Sequence, residues 1–101
     1  MDQAELLKSR RREILAICGK HGARNVRVFG SCARREHSAT SDIDILVNLD
    51  STELKGLRYF GVLEELEEEL EAILGVRVDV VDESGLKERV RDEVLSEARV
   101  L

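Results

Sequence analysis

The run Asp42-Ile43-Asp44-Ile45-Leu46-Val47 restricts the fold more than any other segment of this chain. It alternates carboxylate with aliphatic residues and then becomes wholly apolar, the period-two pattern of a β-strand. Residues two apart on a strand share a face, so Asp42 and Asp44 stand side by side while Ile43 and Ile45 enter a core. Two like charges so placed repel each other, and a strand that keeps them needs something to neutralise them.

The surrounding elements follow from period and breakers. Leu6, Leu7, Ile14, Leu15 and Ile17 fall near helical spacing, predicting one helix from Asp2 to about Lys20, with Gly19 and Gly22 at its end. Val26-Arg27-Val28-Phe29 reads as a short strand running into Gly30-Ser31, where Ser31 can cap a brief helix through Cys32, Ala33, Arg34 and Arg35. After the second strand, Ser51 or Thr52 can start a helix of about 20 residues. Its buried stripe is expected at Leu57, Phe60, Leu63, Leu66, Leu70 and Ile73, and its run of glutamates, Glu64 to Glu71, reads as a solvated face. Gly75 ends it, Val76 to Val81 is β-branched enough for a third strand, and a last helix is expected from Leu86 to about Ala98. The expected fold class is α/β (α+β), a small three-stranded mixed sheet with helices packed on it, and residues 1–101 form a single domain.

Composition narrows the function. The 101 residues carry a formal net charge of −5 with no long basic stripe, so wide-surface nucleic-acid binding is not expected. The short basic cluster Lys8, Arg10, Arg11 and Arg12 reads as a solvated helix face or as a contact for an acidic partner. No stretch reaches the ~20 apolar residues of a membrane span, and the charged N-terminus lacks the apolar core of a signal peptide, so a cytoplasmic protein is expected. Cys18 and Cys32 lack metal-site spacing and read as apolar fillers or free thiols. His21 and His37 read as bystanders to any chemistry. A domain this small buries limited surface and is expected to lean on a partner, another protein or a second copy.

The chemistry lies in three pieces. If the third strand lies beside the second, Asp79 joins Asp42 and Asp44, and an all-oxygen donor set of this kind suits Mg²⁺ or Mn²⁺. Three carboxylates can hold two such ions about 3.5–4 Å apart, clamping the attacking and leaving oxygens of a phosphoryl displacement. Gly30-Ser31 lets the backbone approach an anion at a helix N-terminus, and Arg34 or Arg35 can reach phosphate oxygens. Each piece alone is commonplace: a Gly-Ser turn, a wet strand edge, a surface aspartate. Their order and spacing are what carry the argument.

Val28-Phe29-Gly30-Ser31-Cys32-Ala33-Arg34, with ten residues between Ser31 and Asp42 and then Asp42-Ile43-Asp44, resembles the signature of the DNA polymerase beta-like nucleotidyltransferase superfamily. With Val78-Asp79-Val80 and the closing amphipathic helix, the chain is similar to the minimal nucleotidyltransferase branch along nearly its whole length. The resemblance implies the palm-like nucleotidyltransferase fold, ATP as substrate at Gly30, Ser31 and Arg34, and catalytic metal carboxylates at Asp42, Asp44 and Asp79. Many relatives carry glycine where Arg35 stands, which leaves the role of Arg35 open. It further implies an antitoxin that transfers AMP to a tyrosine of a HEPN toxin partner. The alternative is a non-catalytic, nucleotide-binding antitoxin that neutralises its partner by covering it. An antibiotic-modifying enzyme is disfavoured, since such relatives are considerably longer.

Overall fold

The computed structural model describes residues 3–30, 42–49 and 57–101. Ser31, Cys32, Arg34, Arg35, His37 and the helix starts proposed at Ser51 or Thr52 lie outside the described residues, as does the side chain of Leu57. Along the rest run α1 (Gln3–Ser9), α2 (Arg11–Lys20), β1 (Ala23–Phe29), β2 (Ile43–Leu49), α3 (Leu57–Leu74), β3 (Val78–Asp82), a 3₁₀ turn (Glu83–Gly85), α4 (Glu88–Glu97) and β4 (Arg99–Val100).

The expected fold class is the one observed, with one correction: among the described residues the sheet has four strands, not three, in the order β3-β2-β1-β4. β1 runs antiparallel to both β2 and β4, and β2 and β3 are parallel, joined across α3. The fourth strand is two residues long, too short for any periodicity to announce it. It is held by its flank: the Leu101 amide donates to the Val26 carbonyl at 3.1 Å, and Arg11 Nε donates to the Leu101 carbonyl at 2.7 Å.

The single N-terminal helix expected from Asp2 to Lys20 is broken in two at Arg10 (φ −106°, ψ 9°). Ser9 Oγ donates to the Leu6 carbonyl at 2.8 Å, a local bond of the kind that competes with a regular helical ladder. β1 is longer than the four residues expected because it contains a bulge between Arg24 and Arg27, with Asn25 in the left-handed region at φ 54°. The irregularity hides the alternation that would otherwise mark the strand.

One face of the sheet carries the core. Val26, Val28, Ile43, Ile45, Val47, Leu49, Val78 and Val80 pack with Leu7, Ile14 and Cys18 of α1 and α2, and with Leu66, Leu70 and Leu74 of α3. Ile43 and Ile45 are fully buried, as their alternation with Asp42 and Asp44 required. Of the expected α3 stripe, Leu66 and Leu70 are buried and Leu63 and Ile73 pack against the core, whereas Phe60 is 63% exposed, and Tyr59 and Val62 pack there instead. Burial pushes the Cys18 thiol up to about 11, in keeping with an inert core filler. The second sheet face is only partly covered. Leu46 is fully buried there, and α4 packs on β1 and buries Val94.

The glutamates of α3 are not simply a solvated face. Glu69 accepts from Lys20 Nζ and from His21 Nε2, tying the end of α2 to α3, so His21 has a structural role. Hydrogen bonds from Lys20 and then His21 hold the Glu69 carboxyl below its ordinary range. Glu67 and Glu71 turn inward to the backbone of β3.

Candidate active site

The site is assembled at one end of the sheet. Because β1 is antiparallel to β2 and β2 parallel to β3, the C-terminal end of β1 meets the N-terminal ends of the other two. Phe29 stands opposite Asp44, and Asp44 stands opposite Asp79. Residues directly across a ladder share a face, so Asp44 and Asp79 point to the same, incompletely covered side. Asp42 is exposed and lies immediately before the first residue of β2. The expectation that β3 would bring Asp79 beside Asp44 is met by the register.

Gly30 ties the turn to these carboxylates. It follows β1 with φ 69°, a conformation that side chains other than glycine adopt at a penalty. A Cβ on Gly30 would fall within contact distance of Asp44 Oδ2 and 3.3 Å from its Cγ. The Asp44 carboxylate therefore occupies space that only glycine leaves, directly against the turn. Gly30→Ala combines the left-handed penalty with displacement of that carboxylate. A loss of about 2 kcal/mol is expected, a melting temperature lower by roughly 8–16 °C for a domain this size. Thermal unfolding followed by circular dichroism checks it; a variant melting within a degree or two of wild type would contradict the close packing of Gly30 on Asp44.

The donor set at this end is all oxygen, which fits a hard divalent cation, and the space left at Gly30 keeps one carboxylate there. Among the described residues, no three His, Cys, Asp or Glu side chains approach closely enough to enclose a metal ion. The carboxylates are thus neighbours along one edge, not a closed cage. Ser31 and Arg34, the residues expected to meet a triphosphate, lie outside the described residues.

Sequence reasoning missed the polar group one row deeper on the same face. Arg27 is 8% exposed and stands opposite Leu46. Its nitrogens are already committed: Nε to the Asn25 carbonyl at 2.9 Å, Nη1 to Glu83 at 2.8 Å and Nη2 to Asn48 Oδ1 at 2.9 Å. Arg91 reaches the other Glu83 oxygen at 3.3 Å. The hydrogen bond from Arg27 holds the Glu83 carboxyl below its ordinary range against the opposing effect of burial. Arg27 therefore braces β1 behind the site. The signal available was an arginine at an interior strand position, which needs a partner when buried.

Known proteins place this arrangement. The profile of the nucleotidyltransferase domain family matches residues 11–101. The protein adenylyltransferase MntA of Thermococcus cleftensis is 46% identical over 78 residues, covering 77% of this chain and 74% of that protein. A solved structure of a minimal nucleotidyltransferase superposes with a TM-score of 0.81 and 46% identity, over 100% of this chain and 97% of that one. The structure of a toxin-antitoxin with AMP-PNP shares the fold, with a TM-score of 0.71 at 23% identity, over 88% of this chain and 69% of that one.

Proposed function

Because this chain belongs to the nucleotidyltransferase family, we propose that it transfers AMP from ATP to a tyrosine hydroxyl of a HEPN toxin partner and so acts as its antitoxin. The observation that carries the reading is the register of Asp44 beside Asp79 at the edge where Gly30 turns. The name of the Thermococcus relative supports protein adenylylation, and the fold shared with a toxin-antitoxin assembly supports the partner.

In this reaction the tyrosine oxygen attacks the α-phosphorus of ATP, the bond from that phosphorus to the α–β bridging oxygen breaks, and pyrophosphate leaves. The hydroxyl proton passes to solvent. Asp42, Asp44 and Asp79 would hold Mg²⁺, or Mn²⁺ in its place, which would lower the pKa of the acceptor hydroxyl and offset charge on the leaving pyrophosphate. Gly30 brings the backbone close to the nucleotide, Ser31 offers a hydroxyl, and Arg34 offers a guanidinium to phosphate oxygens. The acceptor brings its own surface, since the elements described are all engaged in the sheet and its cover.

A second reading is favoured by the open spacing of the carboxylates: a nucleotide-binding antitoxin that acts by contact alone. One experiment separates them. The chain is incubated with α-labelled ATP, Mg²⁺ and a HEPN-type toxin protein. AMP label on the partner, lost when Mg²⁺ is chelated, is the expected result. A partner neutralised without label would replace the enzyme with the binder.

A further inference from the structure

Among the described residues β3 is an edge strand of five residues with β2 on one side only, yet Asp79 must stay opposite Asp44 for the two carboxylates to act together. A strand paired on one side is free to slip or fray, and a one-residue slip would turn Asp79 to the core face. The outer side of β3 is not bare. Val80 N–H donates to Glu67 Oε1 at 3.1 Å, and Val78 N–H donates to Glu71 Oε2 at 3.3 Å.

These two amides flank Asp79. Two glutamates one helical turn apart have Cβ atoms about 5–6 Å apart, and amides two residues apart on a strand are roughly 6.6 Å apart, so the two flexible side chains reach both amides without strain in either element. The Glu67 carboxyl is raised from its ordinary value, first by burial and further by the nearby charges of Asp79, Glu71 and Glu64, while the Val80 amide draws it back. Glu67 thus stands near Asp79 at an electrostatic disadvantage, retained with its hydrogen bond to the backbone.

We infer that Glu67 and Glu71 are positioning residues that clamp the backbone of Val78-Asp79-Val80 from outside and so hold Asp79 in register with Asp44. This rests on the reading of Asp79 as a metal carboxylate. It is tested on the full chain with three variants: Glu67→Ala/Glu71→Ala, which removes both acceptors; Glu67→Gln/Glu71→Gln, which keeps an acceptor oxygen at each; and Asp79→Asn as the reference. Amide hydrogen exchange is read by NMR, and Mn²⁺ binding to the protein alone by electron paramagnetic resonance.

The double alanine variant is expected to exchange the Val78 and Val80 amides at least about tenfold faster with the Ile45 amide unaffected, and to bind Mn²⁺ about tenfold more weakly, as Asp79→Asn does. The double glutamine variant restores most of both. Unchanged exchange at Val78 and Val80 overturns the clamp whatever the metal does. Faster exchange with wild-type Mn²⁺ affinity, while Asp79→Asn binds weakly, overturns its positioning role. If Asp79→Asn binds Mn²⁺ like wild type, the metal reading itself fails and the inference falls with it. Should the double alanine chain not fold, Glu71→Ala alone carries the same two readouts.

Discussion

Asp79→Asn is expected to lower AMP transfer by on the order of 10²–10³-fold while ATP binding changes by less than about tenfold. Asparagine keeps the size and polarity of the side chain and removes only its charge. Asp79 is exposed, so the substitution leaves the core and the β2–β3 register in place. On the proposed reading, the turn at Gly30 and the Asp42 and Asp44 carboxylates still hold the nucleotide. What is lost belongs to the transition state, the third negative group beside the reacting oxygens, and such a loss lowers kcat and kcat/KM together. Equilibrium binding of a fluorescent ATP analogue and single-turnover labelling of the partner measure the two effects separately. Transfer at the wild-type rate by Asp79→Asn would remove Asp79 from the chemistry.

The largest effect on stability is expected at Asp82, at the far end of the same strand. This carboxylate is 3% exposed and accepts from the Tyr59 hydroxyl and from Ser84 Oγ, both at 2.7 Å, and from the amides of Leu49 and Ser84, both at 3.3 Å. It therefore joins β2, β3, α3 and the 3₁₀ turn at one point. Burial alone would raise its pKa, but the hydrogen bonds from Ser84, Tyr59 and the Leu49 amide outweigh it and hold the carboxyl below the ordinary 3.8. Burial, together with the same contact, pushes the Tyr59 phenol up to about 12.

Asp82→Ala strands those donors and is expected to lower stability by about 3 kcal/mol. Asp82→Asn, which keeps one acceptor oxygen, should lose less. The sign of the pH effect follows from the direction of the shift. A carboxyl whose folded pKa is depressed contributes stability that is present above the unfolded pKa and lost as pH falls through the folded one. Wild type is therefore expected to weaken below about pH 4 more steeply than Asp82→Asn. Urea unfolding between pH 2.5 and 7 checks this, and parallel acid limbs for the two proteins would refute it.

The parts of this fold visible in the sequence are those whose signal is local and periodic. Asp42 to Val47 announced β2 because each residue's face follows from its neighbour's, and the same logic placed Ile43 and Ile45 in the core. The family signature around Gly30 and Asp44 came from spacing, and the relatives bear it out. What stayed hidden depends on partners distant along the chain. Glu67 and Glu71 look like any solvated glutamates until β3 is docked beside them. Arg27 reads only as one residue of a short strand until Glu83, 56 residues on, takes its guanidinium. Asp82 has no pattern at all, being defined by four donors on three other elements. Phe60 was misplaced because hydropathy favours burying it while the helix phase set by Leu66, Leu70 and Leu74 turns it out.

The bulge in β1 has a consequence for how such a chain can change length over its history. Before it, Ala23 pairs with Leu49 and Arg24 with Asn48; after it, Arg27 pairs with Leu46 and Val28 with Ile45. β1 spends one residue more than β2 across this stretch, and Asn25, in its left-handed conformation, is the surplus. A descendant lacking that one residue would run a regular ladder with Ala23, Val26 and Val28 still inward and Arg24 and Arg27 still outward. Elsewhere in the sheet a single deletion would invert every following side chain. At Asn25 one residue can be lost while the strand that leads into Gly30 keeps its facing.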